Sequence, residues 1–176
     1  MTHLIPTREP LRRSLTFVPP LIAAAVLGWF LFVLAPGQGL PVRLHAPDWA
    51  LLADQAPVLQ VHIAAATLAL VIGVVLLAGV KGNTLHRTLG WTWAIAMAIV
   101  AISSILIRDI NHGAFSWIHL LTGWTIIILP MALHAARTHN IAAHRGRMTG
   151  LFVGTLLIAG MFTFFPGRLM WRVFLG

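Results

Sequence analysis

Five stretches of the chain contain no Asp, Glu, Lys or Arg: Ser14–Val42, Gln55–Val80, Thr88–Ile107, Ile110–Ala136 and Met148–Gly167. Each is long enough to supply the roughly 20 apolar residues that cross a bilayer core. Lipid offers backbone groups no water, so apolar runs of this length form helices and not open strands. The pattern predicts helices at about residues 17–35, 57–79, 85–107, 115–137 and 142–166, numbered here from the N-terminus. Polar residues gather where the chain must turn. Residues 1–14 form a basic tail, and Lys81–Thr84 and Thr138–Ala142 are short turns. Ala35–Pro57 is a longer loop whose "DWALLAD" segment reads as a short surface helix. The expected fold is an all-α integral membrane protein with five transmembrane helices. Two hairpins form a four-helix core, joined by one N-terminal helix, in a single domain over residues 15–176.

Composition agrees with this pattern. Of 176 residues, 59% are hydrophobic and 9% are charged, against about 25% charged in a soluble domain. The net charge of +8 does not point to nucleic acid, because the basic residues stand at helix ends and not on one patch. Their asymmetry sets topology. With the N-terminus in the cytoplasm, Arg8, Arg12, Arg13, Lys81, Arg87, Arg137, Arg145 and Arg147 fall inside, and Arg43, Arg108, Arg168 and Arg172 fall outside with Asp48, Asp54 and Asp109. A bacterial inner membrane, crossed several times, is the expected location. The first run is read as a retained helix, since Pro36 would follow a signal cut after "VLA". Absence of Cys excludes disulfides, thiolate metal sites and iron–sulfur clusters. Trp49, Trp91, Trp93, Trp117 and Trp171 fall near expected interfaces and read as an aromatic belt.

Both turns place a His-Arg pair before an apolar run, in "KGNTLHRTLG" and "RTHNIAAHRGRMTG". The hairpins share a frame. His62 is followed by 23 residues and His86-Arg87; His119 is followed by 24 residues and His144-Arg145. With hairpin turns at those places, each pair is separated by roughly 21–22 Å along the bilayer normal. Four helices thus offer two layers of two histidines. An ionisable side chain at membrane depth suggests function, and a bis-histidine layer in a helical bundle suits a six-coordinate b-type haem. Ala66, Gly90, Gly123 and Met148 stand one turn after the four candidate ligands, and three of them are small enough to let a flat macrocycle approach. Arg87 and Arg145 are candidate partners for haem propionates. Placed singly, such residues also mark the lipid interface or bond between helices. His134 stands at about the depth of His144 and on a face of its helix similar to that of His119, so it competes for the place opposite His86.

Other signals are smaller. Arg108, Asp109, Asn111 and His112 form a polar cluster on an outer turn that could take a quinol or an organic acid. Gly150 and Gly154 fit the small-xxx-small pattern of helix contacts. Ser103-Ser104 could line a cavity or bond their own helix.

The motifs "KGxxxHRxxGW", "FSxIHLL" and "NxxxHRxxM" resemble a bacterial family of multi-pass membrane proteins of uncharacterised function, over roughly residues 55–166. That resemblance implies no activity. The four-histidine layout is similar to transmembrane diheme cytochromes b, which oxidise ascorbate or quinol on one side and reduce an acceptor on the other. Carried onto this chain, the layout pairs His62 with His119 and His86 with His144. The chain differs in its five helices, its extra His134 and ligands close to helix starts. The expected function is transmembrane electron transfer through one or two b-type haems, as an oxidoreductase or an electron-transfer subunit. Lipid, a quinol or small reductant, and a membrane partner or second copy are the expected associates. Alternatives are a haem-free scaffold or assembly subunit and, behind it, a small-solute transporter.

Overall fold

The computed structural model describes residues 28, 45–107 and 118–175. The chain divides into a unit over Met1–Arg43, in which Gly28 is described and helical, and a unit over Leu44–Gly176. The predicted helix at 17–35 otherwise lies outside the described residues.

Within the second unit the described residues form helices and no strands. They are α1 (Trp49–Ala53), α2 (Pro57–Ala78), α3 (Thr84–Leu106), α4 (Ile118–Arg137), α5 (Ile141–Leu151), a π-helical stretch (Phe152–Ile158), α6 (Ala159–Phe162) and α7 (Leu169–Phe174). Pro57 opens α2, where a missing N–H costs nothing.

The two turns are built alike. Gly82 (φ 83°) precedes Asn83, and His139 (φ 57°) precedes Asn140. Each asparagine then caps the next helix. Asn83 Oδ1 accepts from His86 N–H at 2.8 Å, and Asn140 Oδ1 accepts from Ala143 N–H at 3.1 Å. A left-handed residue reverses the chain and the cap satisfies an orphan donor, so each turn needs few residues.

Among the described residues, three helical stretches are long and apolar enough to cross a membrane: Pro57–Ala78, Thr84–Leu106 and His119–Arg137. The fifth predicted helix is a composite of α5, the π stretch and α6. Large apolar side chains remain exposed around the outside, including Val71 and Val74 on α2, Ile95 and Ile102 on α3, and Leu120 and Ile127 on α4. A soluble monomer rarely shows so continuous an apolar surface, and lipid is its natural cover.

Around the core, α2 packs on α3, α3 on α4, α4 on α5, and the π stretch contacts both α2 and α4. The shared core includes Ala69, Ile72, Trp93, Met97, Leu129, Leu151 and Phe152. Gly73 is its tightest point, since a Cβ there would collide with the Phe152 ring and come within 3.0 Å of Trp93 Nε1. After α6 the chain returns to α1. Asp48 N–H donates to the Val173 carbonyl at 3.1 Å, and Trp171, Val173 and Leu175 are buried.

Two sequence expectations are corrected here. Trp93 and Trp171 are only 3% and 4% exposed, so they are core residues and not part of an interfacial belt. Trp49 and Trp91 are exposed as that belt requires, and Trp117 lies outside the described residues. Gly150 and Gly154 make no close helix contact, because a Cβ on either would meet nothing within 4 Å.

Candidate functional site

The α2–α3 and α4–α5 turns lie at one end of the helices, and histidines cluster there. His144, in the first turns of α5, reaches back to α4. Its Nδ1 lies 3.0 Å from the Ala132 carbonyl. A carbonyl only accepts, so Nδ1 carries a hydrogen; a neutral ring held in this way has its lone pair on Nε2. His86, in the first turn of α3, is half-buried, and His144 and Lys81 are its electrostatic neighbours. The Nδ1 of His86 is buried without a hydrogen-bond partner. One turn on, Gly90 faces the same side, and a Cβ there would meet nothing within 4 Å. A buried polar nitrogen beside open space is an unusual combination, because leaving such a group unpaired costs about 1–3 kcal/mol.

His134 is exposed on α4. His134 thus stays at the surface, while His86 and His144 are electrostatic neighbours. Arg87 and Arg145 are exposed as well. Arg147 donates from Nη1 to the Met131 carbonyl at 2.9 Å, next to the carbonyl that holds His144. Arg137 lies 5.5 Å from the centroid of the Trp91 ring, clipping α4 to α3. Lys81 Nζ donates to the Leu77 and Gly79 carbonyls at 2.7 and 2.6 Å. Among the described residues the acids are Asp48 and Asp54, which flank α1 far from these turns.

Towards the other end of the helices, uncharged side chains pair between neighbours. His62 Nδ1 is 2.9 Å from Ser103 Oγ on α3. Ser104 and Thr122 hydroxyls meet at 2.8 Å between α3 and α4, and Thr125 and Thr155 meet at 3.2 Å between α4 and the π stretch. Neighbouring helices are thus tied by side-chain hydrogen bonds at three successive interfaces. His119 is half-buried on α4, three residues before Thr122. Gly123, one turn beyond it, is again a place where a Cβ would meet nothing within 4 Å. Along α3, Ser103 lies about 25 Å from His86; along α4, Ala132 lies about 20 Å from His119. The histidines fall into two well-separated levels.

Among the described residues no three or more His, Cys, Asp or Glu gather to hold a metal ion. Pairs of histidines are the donor sets on offer. Arg108, Asp109, Asn111 and His112 lie outside the described residues. A lateral groove of about 600 Å³ between α1 and α2, lined by Trp49, Leu52, Ile63, Leu68 and Val71, contains none of the candidate residues.

Sequence reasoning named the histidines but not the groups they meet. Ala132, Thr122, Thr125 and Thr155 carry no motif. Threonines in an apolar helix are ambiguous until the neighbouring helix is known, because a hydroxyl also bonds its own backbone.

Curated proteins and solved structures give no match to this chain. Residues 59–170 of the 176, a span holding His62, His86, His119 and His144, match the family described as "Predicted membrane protein (DUF2306)", and the chain belongs to that family of membrane proteins.

Proposed function

We propose that the protein carries electrons across a bacterial inner membrane through b-type haem held by paired histidines. The observation that carries this reading is the turn end. There His144 is fixed with an available Nε2, and His86 lies within its electrostatic reach with a buried, unpartnered nitrogen beside the opening at Gly90. These features fit a haem. Either imidazole nitrogen can take iron, and a ligating histidine usually donates its other N–H to a carbonyl or carboxylate, which fixes the ring. Gly90 leaves room for a flat ring system close to the helix.

Bound there, a b-type haem supplies one-electron carriage through its iron. The chain's own residues do the rest. His86 and His144, on two helices, would hold its iron, and the Ala132 carbonyl holds the His144 ring in place. Arg87 and Arg145 stand exposed at the rim, where they suit the carboxylates of propionates. The apolar core around Met97 and Leu129 keeps water from the space between the two levels. His62 and His119 form the second level, on α2 and α4. A quinol or a small reductant is the donor class. A quinol gives up two electrons and two protons, so it discharges in two one-electron transfers.

Haem content measured for single variants tests the assignment. His86→Ala and His144→Ala should each lose the haem of the turn end and keep the other, because either deletion removes a side chain that would hold the iron. His62→Ala and His119→Ala should do the reverse. His134→Ala should keep both. Loss of a haem in His134→Ala with retention in His144→Ala would place the ligand on α4 and overturn the pairing.

A further inference from the structure

Two exposed stripes run along α3 and α4, which pack on each other. On α3, Ile102, Ile95 and Trp91 face outward; on α4, Ile127, Met131, His134 and Arg137 do so. Spacings of three, four and seven residues keep each set on one side of its helix. Both stripes change character in the same direction. They are apolar along most of their length and turn polar towards the turn end, at Thr88 on α3 and at His134 and Arg137 on α4. That order is the profile of a membrane leaflet, with hydrocarbon inside and headgroups at the rim.

The polar ends meet. The Arg137 guanidinium carbon lies over the Trp91 ring, 5.5 Å from its centroid. Trp91 is 49% exposed, so the contact is at the surface and not in the core. A contact with a ring face draws on the charge and uses no hydrogen-bond acceptor. Arginine carries five N–H donors, and those of Arg137 have no acceptor among the described residues. His134 stands three residues before Arg137 on the same side of α4, and its ring offers at least one N–H in either neutral tautomer. The Trp91 indole supplies another donor. The described acids, Asp48 and Asp54, flank α1, so no carboxylate of the described residues answers these donors.

We propose that this surface binds the phosphate of an anionic phospholipid in the cytoplasmic leaflet. Arg137 is its main ligand, His134 and Trp91 stand beside it, and the acyl chains lie along the two apolar stripes. A phosphate diester matches the fork of a guanidinium, which an ammonium does not reproduce. A headgroup with net negative charge suits the unopposed cation better than a zwitterionic one, whose own cation competes for the phosphate. The assignment uses none of the residues given to haem, and it accounts for a histidine that the bundle interior does not use.

The test uses full-length protein purified in detergent, with bound lipid counted by native mass spectrometry. Wild type should retain phosphatidylglycerol at a saturable site and hold phosphatidylcholine more weakly. Arg137→Gln should weaken phosphatidylglycerol binding about fivefold, the weight of one basic side chain near an anionic surface. His134→Ala should show a smaller loss. Arg137→Lys should not restore wild-type binding, because it returns the charge without the fork. Arg172→Gln, which removes an exposed cation on α7, should bind as wild type does. Equal retention of the two lipids, or wild-type affinity in Arg137→Gln, would overturn the site. Full recovery in Arg137→Lys would reduce it to diffuse attraction and overturn it as well. Displacement of the lipid by a polyglutamate peptide at equal concentration would assign the surface to an acidic protein segment instead. None of these readouts needs haem, so colourless protein that still selects phosphatidylglycerol would leave this site standing while the electron-transfer reading fails.

Discussion

At the turn end of the bundle His144 meets a backbone carbonyl alone; at the far end His62 meets both the Ser103 hydroxyl and the Val100 carbonyl. The contrast extends to the surroundings. The turn end carries Lys81, Arg87, Arg137, Arg145 and Arg147, with no acid beside them among the described residues. Towards the far end, helices are joined by Ser104–Thr122 and Thr125–Thr155. The hydroxyl pairs hold helices together where lipid supplies no hydrophobic force between them.

Four measurements would break or sharpen that contrast. The largest effect is all-or-none. Reporters placed at His45, beside α7, and at Thr138, in the α4–α5 turn, should report opposite sides of the membrane, with Thr138 on the cytoplasmic side by the excess of Lys and Arg. Both reporters on one side would remove the idea of two ends facing different compartments.

Next comes Gly73→Val. The new side chain would enter the space of the Phe152 ring, so the variant should lose about 1–3 kcal/mol of stability, the usual cost of overpacking. A thermal midpoint equal to wild type would show that α2 and the π stretch are not closely docked there.

A smaller effect is expected from Thr125→Val, which keeps the shape of a fully buried residue and removes the acceptor for Thr155. Side-chain hydrogen bonds between membrane helices average about 0.6 kcal/mol, with the strongest near 1.7. A loss within that range, with haem content unchanged, would support a holding role for the far end. A larger loss of cofactor than of stability would give these hydroxyls a part in the site itself.

The sequence disclosed the elements more readily than their faces. Asn83 and Asn140 mark helix starts, and the uncharged runs mark the helices themselves. Neither helix faces nor helix partners could be read in that way. A membrane helix is apolar all round, so the period that separates buried from exposed positions in a soluble helix is largely erased. That is why Trp93 read as interfacial and proved to be core, and why His134 and His144 could not be separated by position alone. Ser103 was visible as a polar residue in an apolar run, but only the structure shows that its partner is His62. The π stretch at Phe152–Ile158 carries no sequence mark comparable to an N-cap or a proline. It depends on packing against α2 and α4, which is a tertiary effect.

The fourth measurement addresses the central claim that paired histidines hold haem. Full-length wild-type protein, made in haem-replete cells and purified in detergent, would be examined by reduced-minus-oxidised absorption spectroscopy. The account predicts the bands of low-spin, six-coordinate b-type haem, with one or two haems per chain. Colourless protein with no such bands would contradict it.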